Sequence, residues 1–409
     1  MAIERPKFKL HRGSTYVFDM SDPSLAGHPL RFTNDSGTSE YTNGVTAAGS
    51  PGSANATVTF DVPIDAPDNL MYYCSTHGFG MGNKIKTIDD PANEVAWGGP
   101  RGFWYGGTIR PADANIKVDT IDYVTISTPG NAQDFGDLVR DYTSLAGCSN
   151  SNRALTAAGG TGSNLGSDDI TYFQTATQGS TGDFGNLLSS SFSKVALCDG
   201  AANTDRACIT GGNYSADRRI EYVTVSTTGN SQDFGDLVMV ANGSIKNQAA
   251  AADNTRGLFL GGRSGWTLSS VDNIDYITIA TLSDAIDFGD LNEIVYQHTA
   301  CSNNTRALNW CGVEGTSSSN KVNTIQYVTI QTTGNATDFG DASNAMSLGA
   351  ACSNGIYGVM GGGATGWSST FQRIDNIDYV IIDTTGNASD FGDLNSPTNS
   401  TASAAGKAA

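Results

Sequence analysis

The sequence predicts an all-β fold, and three observations predict it. Glycine supplies 49 of 409 residues, about 12% against a usual ~7%, while Ser, Thr, Asn and Asp crowd between short β-branched runs as turns between many strands require. One phrase of alternating apolar and polar residues returns six times between positions 121 and 394. Ahead of it, residues 1 to about 92 lack the phrase but carry their own alternating runs, STYVFDM, HPLRFT and ATVTFDVP. A chain of this length can bury substantial cores in two or three domains without disulfide staples.

The amino-terminal part, residues 1–95, ends its last alternating run in MYYCSTHGFGMGN. Here Cys-x2-His-x3-Met stands 46 residues after a His in a Gly-His-Pro context. This part resembles a cupredoxin, although it is short and lacks room for one edge strand. The resemblance implies a β-sandwich in which one upstream His joins Cys, His and Met of a late loop to hold copper, with thiolate and imidazole as strong ligands and thioether as the weak axial one. By motif position the ligands are His28, Cys74, His77 and Met81. The competing expectation is the same sandwich with these side chains packed around a metal-free pocket. Tyr72 and Tyr73 alternate along one strand, so one is expected inward and the other outward.

The repeat is IDYVTISTPGNAQDFGDL from Ile121, with variants from Ile170, Ile220, Ile274, Ile325 and Ile377. Its tyrosines, Tyr123, Tyr172, Tyr222, Tyr276, Tyr327 and Tyr379, lie 49 to 54 residues apart, and the Asp of DFG always follows its Tyr by eleven. A second phrase precedes each copy: RGFWYGG from Arg101, RALTAAGG from Arg153, RACITGG from Arg206, RGLFLGG from Arg256, RALNWCG from Arg306 and IYGVMGG from Ile356. Further upstream come small-residue runs such as LAGCSN, TACSN and AACSN, suited to a crowded inner strand.

Each unit thus offers four short strands, one blade of a β-propeller, and a blade cannot bury both its faces alone. The first unit begins at Arg101 without an inner strand, whereas the chain ends on an unpaired STASAAG segment, Ser400 to Gly406. The carboxyl end is therefore expected to complete the first blade and remove two exposed edges. Gly-Gly doublets followed by a Tyr strand and an aromatic outer strand resemble kelch repeats, with Phe of DFG, as at Phe135 or Phe339, where kelch blades usually carry Trp. The fold expected is all-β: a cupredoxin-like β-sandwich over 1–95, then a six-bladed kelch-like β-propeller over 96–409 closed by the carboxyl-terminal strand. The wording TTGNATDFGD also resembles repeats in virion structural proteins of marine cyanophages and related tailed phages.

Charge and motifs narrow the function. A net charge of -18 repels phosphate backbones and anionic lipid, so no nucleic acid is expected as a partner. No stretch approaches the ~18 apolar residues that span a bilayer, and Met1 to Leu10 lacks the apolar core of a secretion signal. Seven scattered cysteines are an odd number, read as mostly reduced, buried thiols. Galactose-oxidase-like copper chemistry needs two histidines at a propeller mouth, yet His298 stands alone among the repeats, at an expected exposed or edge position. DFG repeated at blade spacing lacks the phosphate loop and Lys-Glu pair of a kinase, and its paired aspartates, such as Asp134 and Asp137, are expected to cap turns. No nucleophile elbow with a triad His is present, so no catalytic residue is assigned.

The loops between the Gly-Gly strand and the Tyr strand vary most between copies, which suggests recognition on one rim. Trp266 and Trp367 follow Gly265 and Gly366 at matching positions, where an indole could stack on a sugar while Arg263 or Tyr214 supplies hydrogen bonds. Equally, the two tryptophans could lid the packing between blades. The phage resemblance implies a non-enzymatic virion structural protein, an appendage, tail fibre or decoration component. It would be made in the host cytoplasm and released by lysis, contact other virion proteins, bind host-surface glycan and form a homo-oligomer. The alternative is a copper-binding electron-transfer protein on a propeller scaffold, and a third class, glycan cleavage by paired carboxylates, has no positive motif behind it.

Overall fold

The computed structural model describes residues 6–88 and 99–406, apart from 13, 35–36, 38, 64–65, 111–114, 162–165, 180, 189–198, 211–217, 239–244, 265–268, 316, 318 and 368–369. The chain is all-β: the described residues form many short strands and one 3-10 turn, Pro23–Leu25. It divides into two compact units, Met1–Glu94 and Val95–Ala409.

In the first unit one sheet runs Phe8–His11, Gly78–Ile88, Asn69–Cys74, Leu30–Asn34, and a second runs Thr15–Asp19, Thr57–Asp61, Val45–Ala48. Alternation along Asn69–Cys74 buries Leu70, Tyr72 and Cys74 and leaves Tyr73 only partly covered, packed on Phe79 at 5.0 Å between ring centroids. Leu10, Phe32, Leu70 and Ile85 from the first sheet meet Val58 and Phe60 from the second in one core. Phe32 and Phe60 stand 4.8 Å apart across it.

The second unit contains six sheets of one design, each with four strands in order. The second sheet is typical: inner strand Ala146–Ser149, then Arg153–Ala157, Asp169–Gln174 and outer strand Gly182–Asn186, all antiparallel. The first sheet takes Arg101–Tyr105, Ile116–Thr125 and Gln133–Tyr142 from its own stretch of chain and its inner strand, Ala402–Gly406, from the carboxyl end. Ala404 pairs with Phe103 in that register, as the unpaired STASAAG segment led us to expect.

Small residues let the inner strands approach one another. Ala146–Ser149 touches Asp199–Ala202, which touches Ala249–Ala252, then Thr299–Ser302, Ala350–Ser353 and Ala402–Gly406, and the last returns to Ala146–Ser149. Their free edges are satisfied from the neighbouring sheet: Ala351 N–H donates to Thr299 Oγ1 at 2.9 Å, Ser302 Oγ to the Ala252 carbonyl at 2.7 Å, and Ser403 Oγ to the Ala351 carbonyl at 2.8 Å. At the start of these strands Ser144, Asn247, Gln297, Leu348 and Ser400 all adopt φ between 56° and 64°. In that conformation Gln297 N–H donates to the Asn247 carbonyl, Leu348 to Gln297, Ser400 to Leu348 and Ser144 to Ser400, at 2.8 to 3.0 Å.

DFGD is the outer strand, as expected of the fourth strand of each unit, and it carries a bulge. Ile121 pairs with Gly136 and Asp122 with Asp134, so Phe135 is the extra residue, and the same slip occurs in all six sheets. The bulge turns Phe inward, where Phe135, Phe184, Phe234, Phe288, Phe339 and Phe391 are buried and meet the tyrosine of their own sheet edge-on at 5.6 to 6.0 Å. Six cysteines, Cys74, Cys148, Cys208, Cys301, Cys311 and Cys352, are free and buried, and Cys198 lies outside the described residues.

Candidate functional site

In the first unit, two pieces of local structure assemble the predicted ligand set. Asp22 accepts from Ser24 N–H at 2.8 Å and starts the 3-10 turn, after which Gly27 at φ 78° redirects the chain to His28. The pairing of Leu30 with Cys74 then sets His28 beside the end of the neighbouring strand. On the other side the chain reverses through Ser75, Thr76 and His77, with Cys74 paired to Gly78, so that His77 folds back over Cys74.

The result is a trio of donor atoms. Cys74 Sγ lies 3.4 Å from His77 Nδ1 and 3.8 Å from His28 Nδ1, and the two imidazoles stack at 4.5 Å between centroids. All three donors fall within 4.8 Å of one another. Ligands held ~2.0–2.3 Å from a single metal are separated by roughly 3.5 Å, so the trio already has the spacing of a first coordination sphere. Cys74 is buried, His28 half-buried and His77 exposed, which gives a site open on one side. Met81 lies further along strand Gly78–Ile88 and is 43% exposed. One thiolate and two imidazoles suit a soft or borderline transition metal, copper among them, and Cys74, His28 and His77 are the residues that would hold it.

The predicted rim residues are placed unevenly. Tyr214 and Trp266 lie outside the described residues. Trp367 sits at the tip of a hairpin made by Ala364–Thr365 and Gln372–Arg373, with half its surface exposed. That turn needs Gly366: its φ is 61°, and a Cβ there would stand 2.1 Å from the Thr370 carbonyl oxygen. Arg263 stacks over the Tyr296 ring at 4.8 Å and belongs to a different sheet from Trp367.

His298 corrects an expectation. It is 7% exposed, so it is not on the surface, although it does lie at the edge strand of its sheet, with Nδ1 against Asn309 Oδ1. Burial lowers its pKa to about 4, partly opposed by the Asn309 contact, so the ring is neutral at physiological pH. The reason is its place at the start of an inner strand, on the wall of a cavity lined by residues of all six sheets. Asp199 shares that wall: its carboxylate accepts from Gly200 and Ala250 N–H at 2.8 and 2.9 Å, and desolvation in the confined space raises its pKa to about 7. Gln248, on the same wall and 4% exposed, has neither amide atom bonded among the described residues.

Sequence reasoning missed a cluster on the hairpin that carries Trp367. Lys321 Nζ and Arg373 Cζ lie 5.0 and 5.5 Å from the centre of one ring, Phe371. These residues come from hairpins some 50 positions apart, so no contiguous motif announces them. No protein-family model and no curated protein matches the chain.

Proposed function

We propose that the second unit is a six-bladed kelch-like propeller and the first a cupredoxin-like sandwich, and that the protein is a non-enzymatic virion structural component of a tailed phage. In this reading it is an appendage, tail-fibre or decoration protein that contacts other virion proteins and reads host-surface glycan. One observation carries the scaffold reading: the repeat uses its own residues to fasten each sheet to the next. Arg153, Arg206, Arg256 and Arg306 each donate to a carbonyl of the following sheet at 2.9 to 3.1 Å, and Asn150 and Asn203 each cap their own turn while donating to the following one. Residues that recur for cohesion make a rigid platform and leave the hairpin tips free to vary. The assignment to a virion rests on the resemblance of the repeat wording. Mass spectrometry of purified particles from the source culture tests it: the chain should appear at a fixed ratio to the capsid protein, and its absence from particles refutes the reading.

The trio of Cys74, His28 and His77 favours a second reading, a copper-binding electron-transfer protein carried on the same scaffold. When bound, copper would supply one-electron chemistry, and the half-open pocket would give a partner access from the His77 side. Titration with Cu(II) should then give a thiolate-to-copper absorption band that Cys74→Ser abolishes. Binding with no such band would leave a metal site without that electronic structure.

A further inference from the structure

The hairpin that carries Trp367 bears a cation, and the strand beside it another, that no carboxylate among the described residues neutralises. Lys321, on strand Lys321–Thr329 of the fifth sheet, and Arg373, on the hairpin of the sixth, approach the same Phe371 ring. Their polar contacts are with neutral groups: Lys321 Nζ donates to the Ala364 carbonyl at 2.8 Å, and Arg373 donates to Asn399 Oδ1 at 2.7 Å and Asn115 Oδ1 at 3.0 Å. Among the described residues neither has a carboxylate within ion-pair distance. Acidic side chains outnumber Lys and Arg by 41 to 23 in this chain, so two neighbouring cations without a carboxylate are unexpected. Desolvation, and after it repulsion from Arg110, lowers the Arg373 pKa, and desolvation lowers the Lys321 pKa to about 8. Partly desolvated cations on one ring without a counter-charge favour an incoming anion.

The second component is aromatic. Trp367 is exposed at the tip of the same hairpin, and its turn is fixed by Thr370, whose Oγ1 accepts from Trp367 N–H at 3.0 Å and donates to the Trp367 carbonyl at 2.9 Å. A flat indole stacks on the apolar face of a pyranose ring, and cations carried on the same hairpin and the adjoining strand would select sugars that carry charge. Asn115 and Asn399 hold the guanidinium in position, so that the fifth, sixth and first sheets all contribute.

We propose that Trp367, Lys321 and Arg373 form a binding site for an anionic saccharide, a pyranose bearing a carboxylate or a sulfate. The inference deepens the glycan-reading part of the proposed function by naming the class of sugar and the residues. It stands apart from the particle assignment, because a chain found in virions yet blind to acidic sugars would overturn this site alone.

Calorimetric titration of the full chain with a tetragalacturonate, a sulfated tetrasaccharide of heparin type and neutral maltotetraose tests it. Binding of one or both acidic probes, with the neutral one at least about tenfold weaker, is expected, and the two acidic arms separate carboxylate from sulfate. Trp367→Ala and Lys321→Met should each weaken the bound acidic probe by about tenfold, and raising sodium chloride to about 0.5 M should weaken it further. Trp367 is exposed at a loop tip, so Trp367→Ala is expected to keep the unfolding temperature of the parent and remains informative should Lys321→Met misfold. Equal affinity for the neutral probe, no binding at about 10 mM of either acidic probe, or an unchanged affinity in Trp367→Ala would overturn the proposal. Competition by inorganic sulfate with no effect of Trp367→Ala would reduce the site to a simple anion site and overturn the saccharide assignment.

Discussion

The guanidinium of Arg306 lies 4.5 Å above the ring of Tyr327 while its Nη1 donates to the Ile382 carbonyl of the next sheet at 3.1 Å. Arg101, Arg153, Arg206 and Arg256 repeat the stacking on Tyr123, Tyr172, Tyr222 and Tyr276 at 4.6 to 5.0 Å. Each arginine therefore joins two sheets through one side chain, and the sixth sheet substitutes Tyr357, packed edge-on against Tyr379 at 5.9 Å.

From this geometry Arg306→Ala should lose about 1–3 kcal/mol of unfolding free energy, the sum of a half-buried cation–π contact and a charge-assisted hydrogen bond. Arg306→Lys should recover little, since an ammonium cannot lie flat on the ring while reaching the same carbonyl. Urea denaturation measures both. A change below about 0.5 kcal/mol in Arg306→Ala would show that the stacked arginine does not fasten the sheets.

A second prediction concerns the glycine of DFG. Gly136, Gly185, Gly235, Gly289, Gly340 and Gly392 all have φ between 144° and 151°, and a Cβ on each would stand 2.3 to 2.6 Å from a backbone oxygen of the following sheet. The sixth of these meets the Gly130 carbonyl of the first sheet. Gly289→Ala combines a disfavoured backbone with a clash against backbone, so a loss of about 3 kcal/mol or more is expected. Thermal unfolding of Gly289→Ala beside Gly315→Ala checks it, because Gly315 also has positive φ but faces open space. Equal melting temperatures for the two variants would contradict the inter-sheet role.

These two features show what could be read from sequence and what could not. The period, the four strands per unit, the small inner residues and the completion of the first sheet by Ala402–Gly406 were all legible, because each is a local pattern that recurs. The bulge at Phe135 was not, since a one-residue slip depends on which partner residue the strand meets. For the metal trio, the motif spacing named His28, Cys74 and His77, while the exposure of Met81 follows from a hairpin geometry that spacing cannot specify. His298 was misplaced because a polar residue in a loop-like context reads as exposed, whereas here it begins an inner strand. Lys321, Phe371 and Arg373 converge only through the neighbouring of two sheets.

The wall of the cavity between the inner strands yields a pH prediction in which two groups oppose each other. Asp199 has its pKa raised to about 7 by desolvation, so the folded state holds that proton where the unfolded chain has released it. Its contribution is full below about pH 4 and is lost as pH rises through about 7. His298 is depressed to about 4, so its contribution is full above about pH 6.5 and is lost as pH falls through about 4. Between those limits the two slopes have opposite signs and largely cancel. Asp199→Asn should therefore make stability rise from pH 4 to 6.5 and should stabilise the protein at pH 8, by on the order of 2–4 kcal/mol. His298→Gln should give the opposite slope. Denaturant midpoints across this range decide it, and parallel pH profiles for parent and Asp199→Asn would show that Asp199 keeps an ordinary pKa.

The last prediction addresses the closing strand. Ala402–Gly406 pairs with Arg101–Tyr105 along its whole length, and its small side chains face both neighbouring sheets, with Ala404 packed near Phe103 and Ala405 near Trp104. Removing residues 401–409 would unpair one edge of Arg101–Tyr105 and expose the buried Phe103, Trp104 and Tyr105 to water. An open, apolar strand edge invites pairing between molecules, so the truncated chain should aggregate at concentrations where the parent stays dispersed. Hydrogen exchange should show lost protection first in 101–105 and in the inner strand Ala146–Ser149, which loses a neighbour, and only later in Ala249–Ala252, three inner strands away in either direction. The peptide 401–409 added back in excess should restore protection in 101–105, because the edge it pairs with is otherwise complete. Undiminished protection of 101–105 after truncation would mean that the carboxyl-terminal strand does not hold the first sheet.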